Sequence, residues 1–430
     1  MDLTARAVER PSSYVLPLAF GMTVTMWGLA YLGRLPTVTA PGWLVAVAML
    51  AAVIVWGGWT GRKTGRGWAA GAVVGIVAAM LNMLILGGLL ADRAATAVWW
   101  VSGSVLLVAG LAAVSAAIGG RSGAKLADGH DWTALFSKVA VAATFLLVVA
   151  GGLVTSHEAG LAVVDWPNTF GTSMFLYPLS RMTGGIYYEH AHRLFGSLVG
   201  LTTIALAVHL WWVRERRWIR SMALLAVALV VVQGVLGGLR VTGRFTLSTE
   251  VGDMAPNLGL AVVHGVTGQL FLALLTLLAV ATSRWWLDGP EPRLAASSAT
   301  DRALHLGLVA ILLVQLILGA VQRHLAEGLL IHVSLAVVVT VVAVLAGMRA
   351  WGLYAGMWPL DRLGQLLASL VVVQVALGIA ALAATRGLAM SGAPTPAEAL
   401  VATAHQAVGA ALLATAVALT VWTRRLLLAR

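Results

Sequence analysis

An all-α, polytopic membrane fold is what this sequence predicts, and three observations predict it. Of 430 residues, 60% are hydrophobic and only 10% charged, too little polar surface to coat a soluble body of this size. The apolar residues fall into continuous runs close to the ~20 residues that cross a hydrocarbon layer of ~30 Å. The period-2 alternation of a barrel is missing, which leaves helices as the way to satisfy every backbone group in lipid.

Twelve runs meet that length: 14–32, 42–59, 68–90, 95–118, 136–154, 187–212, 219–239, 257–281, 303–322, 328–348, 363–384 and 397–422. The first four form an N-terminal extension, 1–118, with no histidine inside its apolar runs; "MLNMLILGG" at 80–88 is its one polar interruption, and scaffolding or partner docking is the expected role. A polar link at 119–135, "GRSGAKLADGHDWTALF", separates it from the other eight helices. Those eight divide into two pseudo-symmetric four-helix bundles, 136–281 and 303–422. Residues 1–13 carry both signs of charge and precede no small-residue cleavage pattern, so the first helix is expected to stay in the protein.

Charge sets the expected orientation. With twelve spans, 20 of the 28 Lys and Arg residues fall at the two termini and in the loops on their side, "RERRWIR" at 214–220 and "GRKTGR" at 61–66 being the densest. The positive-inside rule then puts both termini in the cytoplasm and the long loop 155–186 outside. The net charge of +11 is a topology signal and not a nucleic-acid footprint. Absence of cysteine excludes disulfides, thiolate catalysis, iron–sulfur clusters and cysteine-held haem or zinc.

Four of the ten histidines, His192, His264, His332 and His405, stand near the same end of alternate helices. At 1.5 Å per residue all lie roughly 6 to 12 Å inside their helix ends. The helix before three of them carries one signature: "QGVLGG" (Gln233, Leu236, Gly237), "QLILGA" (Gln315, Leu318, Gly319) and "QVALGI" (Gln374, Leu377, Gly378), with a degenerate copy, "LVVAGG", ending at Gly151 and Gly152. Small residues there permit close approach of a neighbouring backbone or a flat ligand. Two bundles with two facing histidines each suit bis-histidine haem, because the two axial positions of the iron are opposite. Zinc suits them less, since two imidazoles leave a tetrahedral site half empty.

The His192 helix differs, opening with "YYEHAHRLFG". Glu189 and Arg193 are ionisable groups that lipid tolerates only at sites or surfaces. Glu189 is either functional or a helix-start carboxylate favoured by the dipole; Arg193 either meets a haem propionate or anchors at the interface. His190 is expected at the interface, and His324 at the outer surface or beside the C-terminal haem. His157, His209 and His305 are further histidines without an assigned role.

Two stretches carry a family resemblance. "GGLVTSHEAGLAVVDWP" at 151–167 and "EHAHRLFG" at 189–196, with the ordered histidines, resemble the heme A synthase family over about 136–422. The resemblance implies a membrane oxidoreductase that oxidises a methyl group of heme O to a formyl group by two successive hydroxylations. His192 and His264 would line the substrate haem, His332 and His405 would ligate a resident heme b through its iron, and Glu189 would be catalytic. It implies a bacterial-type inner membrane, with heme O synthase and cytochrome oxidase assembly factors as partners. The chain departs from the family in lacking the loop's cysteine pair and in placing His157 and Glu158 in "SHEAG". A di-haem cytochrome b passing electrons without methyl oxidation would use the same four histidines but would not require Glu189.

Overall fold

The computed structural model describes residues 12–90, 94–121, 131–243, 256–391 and 394–428. Among them are thirteen α-helices: α1 (Val15–Gly33), α2 (Gly42–Thr64), α3 (Gly67–Leu90), α4 (Ala97–Arg121), α5 (Trp132–Ser156), α6 (Gly184–Trp212), α7 (Arg217–Thr242), α8 (Leu258–Ala281), α9 (Arg284–Asp288), α10 (Ser298–Leu325), α11 (Leu329–Leu353), α12 (Leu360–Ser391) and α13 (Pro396–Leu426). Twelve are long and apolar enough to cross a membrane, in the order the sequence predicts, and α9 is a short helix at a loop. The chain is an all-α integral membrane protein. Most of the link proposed at 119–135 lies outside the described residues.

The fold divides into two compact units. The first holds 1–147, 159–227 and 247–252. Its α2, α3 and α4 touch backbone to backbone through small residues. A Cβ on Gly61 would lie 1.9 Å from Ala116 O, and one on Gly71 2.3 Å from Ala112 O. In lipid, where hydrophobicity does not drive helices together, such close van der Waals packing does. The other face of α4, with Val98, Trp99, Leu106 and Leu107, is exposed and apolar, as a lipid-facing surface must be. α1 and α3 pack on α6. The Trp27 and Phe195 rings meet edge to face at 5.7 Å, Tyr31 stacks on Tyr187 at 5.6 Å, and Tyr187 Oη donates to Tyr31 O at 2.7 Å. Asn82, the polar interruption, accepts from Trp27 Nε1 at 2.9 Å, so it ties α3 to α1.

The second unit holds 148–158, 228–246 and 253–430. In it α10, α11, α12 and α13 form a ring, each touching the next and α10 closing on α13. One core of Leu308, Leu312, Ala343, Ala346, Leu367, Leu413 and Leu419 fills it. Helix α13 starts on a capping box: Thr395 accepts from Glu398 N at 3.3 Å and its own N–H donates to Glu398 Oε2 at 2.7 Å, with Pro396 at the first turn. At the opposite end of the ring, Asp301 is fully buried, bound by Arg349 Nε at 2.8 Å and by the Tyr354 hydroxyl. Two-residue strands at 293–294 and 427–428 pair beside it.

Candidate functional site: a pinned loop and three histidine seats

At the start of α6 the charged residues grip the loop before it. β1 (Asn168–Thr169) and β2 (Thr172–Ser173) form a hairpin whose turn residues Phe170 and Gly171 have φ of 50° and 74°. That paired positive φ is what a two-residue hairpin turn demands. Asp165 fixes the turn, its carboxylate accepting from Phe170 N and Gly171 N, both at 2.8 Å. Arg193 then fastens the loop to the helix. Its Nη1 donates to Asp165 O (2.6 Å) and Asn168 O (2.9 Å), and its Nη2 to Val163 O (2.9 Å) and Glu189 Oε1 (2.7 Å). Glu189 completes the clamp by accepting from Val163 N at 3.1 Å through Oε2. The carboxylate is 5% exposed. Its burial is tolerable because it is ion-paired to Arg193 and hydrogen-bonded to the loop backbone.

His190, expected at the interface, is fully buried beneath the loop, with Nδ1 3.1 Å from Thr169 Oγ1 and its ring against Tyr177. The residue next to the pinned carboxylate therefore holds the hairpin as well. The far part of the loop rests on the N-terminal helices. A Cβ on Gly87 would lie 2.5 Å from Phe175 O and one on Gly88 2.5 Å from Tyr177 O, while Arg34 donates to Leu179 O at 3.3 Å. The extension is thus a brace for this loop. Sequence reasoning noticed "MLNMLILGG" without finding that use.

In the second unit, the repeated Q-x-x-L-G signature proves to be a seat for the histidine of the following helix. A Cβ on Gly319 would meet His332 Cε1 at 2.9 Å, on Gly378 His405 Cε1 at 3.0 Å, and on Gly237 His264 Cε1 at 3.4 Å. The glutamine one turn earlier reaches the same ring. Gln315 Nε2 lies 3.4 Å from His332 Nε2 and donates to His332 O at 3.0 Å; Gln374 Nε2 lies 3.5 Å from His405 Nε2. Gln233, with its amide turned so that its oxygen accepts from Thr267, donates to His264 Nδ1 at 3.0 Å. A glycine four positions past two of the histidines makes room for the glutamine: a Cβ on Gly268 would lie 3.5 Å from the Gln233 side-chain amide and one on Gly409 3.2 Å from Gln374 Nε2. That H-x-x-x-G spacing is visible in the sequence and was the signal missed. In the degenerate copy Gly152, one residue past the position equivalent to these glycines, faces Thr403 and Gln406.

His332 and His405 are suited to opposite sides of one planar group. They stand on α11 and α13, which are diagonal in the ring, and are close enough to act on each other electrostatically. The Nδ1 of each is buried without a hydrogen-bond partner among the described residues, while the rings are part-exposed. His209 and His305, by contrast, are almost wholly buried beside the hydroxyls of Thr133 (3.1 Å) and Thr423 (2.8 Å), which marks them as core residues. Among the described residues no three His, Asp or Glu side chains converge to hold a metal ion by themselves. A macrocycle that brings its own equatorial ligands fits the paired histidines. His324 stands half-buried in the last turn of α10.

The fold and these sites define a polytopic helical membrane protein with three histidines seated against glutamine-and-glycine helices and a charged helix start closed by a pinned loop. Comparison with known proteins narrows the class. Residues 134–332 match the family described as COX15-CtaA, cytochrome oxidase assembly protein. The chain is 29% identical over 218 residues to the heme A synthase of Parvibaculum lavamentivorans, covering 44% of this chain and 59% of that protein. It is 28% identical over 221 residues to the heme A synthase of a Bradyrhizobium species, covering 43% and 54%. A 149-residue match at 28% identity is to a protoheme IX farnesyltransferase of Haloarcula marismortui, covering 35% and 29%. The chain therefore spans a little over half the length of the heme A synthases it matches here. The resemblance to the heme A synthase family is borne out, with the family match reaching His332.

Proposed function

We propose that the protein is a heme A synthase-type membrane oxidoreductase, converting heme O to heme A for cytochrome oxidase assembly. The observation that carries the reading is the pair His332 and His405, seated alike on diagonal helices with one ring nitrogen of each unpartnered among the described residues. These two would hold a resident heme b, whose iron supplies one-electron redox chemistry when bound. Gln315 and Gln374 would orient the imidazoles, and the glycines would let the rings sit flush against the neighbouring helix. His264 would line the substrate haem.

The reaction would be oxidation of a substrate methyl group by two successive hydroxylations, each adding the oxygen of a water and giving up two electrons to an external acceptor and two protons; the resulting gem-diol loses one water to leave the formyl group. Glu189 would act beside the reacting carbon. A carboxylate held in a water-poor setting stabilises positive charge developing there and accepts a released proton. Arg193, by fixing both the loop and Glu189 Oε1, would set the carboxylate's direction. Both termini would be cytoplasmic and the histidine ends of the helices outside, in a bacterial-type inner membrane. The heme O would be delivered by a heme O synthase, and assembly factors would receive the product.

The test is pyridine hemochrome spectroscopy with mass analysis of extracted haems, after expressing the full chain with a heme O synthase in a host lacking heme A. Heme A or its hydroxylated precursor, lost in Glu189→Ala, is the expected result. Heme b bound with heme O unaltered would overturn the synthase reading and leave an electron-transfer cytochrome.

A further inference from the structure

Tyr177 belongs neither to the Arg193 clamp nor to the histidine seats, yet it connects the N-terminal extension to the carboxylate. It is buried, and its carbonyl oxygen rests on α3, where a Cβ on Gly88 would lie 2.5 Å from it. Its ring centroid lies 5.8 Å from that of Phe170, in the hairpin turn, and 5.2 Å from that of His190, in α6. Phe170 N is one of the two amides that the Asp165 carboxylate holds, and Asp165 O is one of the carbonyls that Arg193 holds. His190 adjoins Glu189 in the chain and meets Thr169 of the same hairpin. One residue thus joins α3 to the hairpin and to the helix turn that carries Glu189. Three further contacts run beside it: Gly87 against Phe175 O, Arg34 on Leu179 O, and Tyr31 stacked on Tyr187. The residues that match the family begin at 134, so the bracing half of each contact belongs to the part of the chain outside that match.

We propose that Tyr177, seated on Gly88, is a positioning residue for Glu189, through which the N-terminal extension sets the placement of the carboxylate at the reacting carbon. The inference rests on the synthase reading of Glu189. Its physical basis is the hardness of the contacts. A backbone carbonyl held against a glycine and a ring held between two others have no spare rotamer to absorb a shift, so close packing passes a movement of α3 on to the turn and to α6. A misplacement of about 1 Å costs a reaction up to about 10²-fold. The two hydroxylations draw on the same carboxylate in succession, so imperfect placement shows as release of the once-hydroxylated alcohol before it is oxidised again.

The experiment expresses the full chain with a heme O synthase in a host lacking heme A and measures the ratio of alcohol to formyl haem by mass analysis. That ratio does not depend on how much protein is made, so loss of folded protein alone leaves it unmoved. Gly88→Ala should push Tyr177 O from 2.5 Å toward ordinary contact near 3.4 Å and raise the ratio by about tenfold. Tyr177→Leu, which loses both ring contacts, should raise it as well, and Tyr177→Phe should restore the wild-type ratio. Gly103→Ala is the control within the extension, because its Cβ would meet nothing within 4 Å, and it should leave the ratio unchanged. Hydrogen exchange across 159–183 should rise in Gly88→Ala and Tyr177→Leu alone. A wild-type ratio in Tyr177→Leu would overturn the inference, even if Gly88→Ala failed to fold. Equal shifts in Gly88→Ala and Gly103→Ala would overturn it too, by reducing the glycine to a general packing role. Wild type that yields neither oxidised haem, while exchange responds as expected, would instead overturn the synthase reading beneath it.

Discussion

The two regions that carry histidines hold them by opposite means. At the start of α6 the hold comes from outside the membrane span: a loop with its own turn, fastened by Arg193, Glu189 and His190 and braced by α1 and α3. In the second unit the hold comes from within the span, from a neutral amide and a glycine on the preceding helix. The difference follows from solvent. Charge is sustainable at α6 because loop carbonyls and amides are there to receive it, whereas between two packed helices the backbone groups are mostly used within each helix and a neutral glutamine is the least costly orienting group.

The comparison breaks most visibly at Arg193. Arg193→Leu removes four hydrogen bonds and leaves Glu189 buried without its counter-charge, so a loss of about 3–5 kcal/mol is expected. Hydrogen exchange should rise across 159–183 while the His332 and His405 signature in the haem spectrum stays unchanged. Parallel loss of both signals would show that the two modes of holding are not independent.

A smaller effect is expected from filling the seats. Adding a Cβ at Gly319 puts it 2.9 Å from the imidazole, against 3.4 Å at Gly237, an ordinary contact. Gly319→Ala should therefore cost about 1–3 kcal/mol through overpacking and reduce haem occupancy at that pair. Gly237→Ala should be near neutral by thermal melting in detergent, and an equal cost at both would mean the seat distances do not govern.

Glu189→Gln separates charge from shape. The amide can still accept from Val163 N, so loop protection should largely persist, with about 1–2 kcal/mol lost from the Arg193 contact. Product formation should nonetheless fall strongly; wild-type yield of oxidised haem would leave Glu189 as a clamp only. The smallest effect belongs to Gln374→Leu, whose contact with His405 is long at 3.5 Å. About 0.5–1.5 kcal/mol is expected, read as a shift in the reduction potential or the electron paramagnetic resonance signature of the His332 and His405 haem.

Much of this was legible before any coordinates. The twelve spans follow from run length, and their starts moved by a few residues where polar groups found partners. α10 begins at Ser298 and not 303 because Asp301 is buried against Arg349 and Tyr354. The Q-x-x-L-G repeat was visible as a repeat, but not as a seat. The loop motif "DWP" was visible as a motif; its fastening was not, because Arg193 binds backbone carbonyls, which carry no mark in the sequence. The burial of His190 was hidden for the same reason, since the hydroxyl beside it belongs to Thr169, on a hairpin whose return toward the helix only the turn decides.

Hydropathy and helical spacing are local properties, summed over a run or over three and four residues, and so the sequence by itself determined the number of spans, the faces carrying histidines and the alternation of glutamine helices with histidine helices. Which groups meet is not local. The pairing of Arg193 with a loop, of Gly87 and Gly88 with its carbonyls, and of Gly319 with the His332 ring depends on how helices settle against one another. That is fixed by close packing of small residues and by the need to satisfy each buried polar group, and only the tertiary structure decided it.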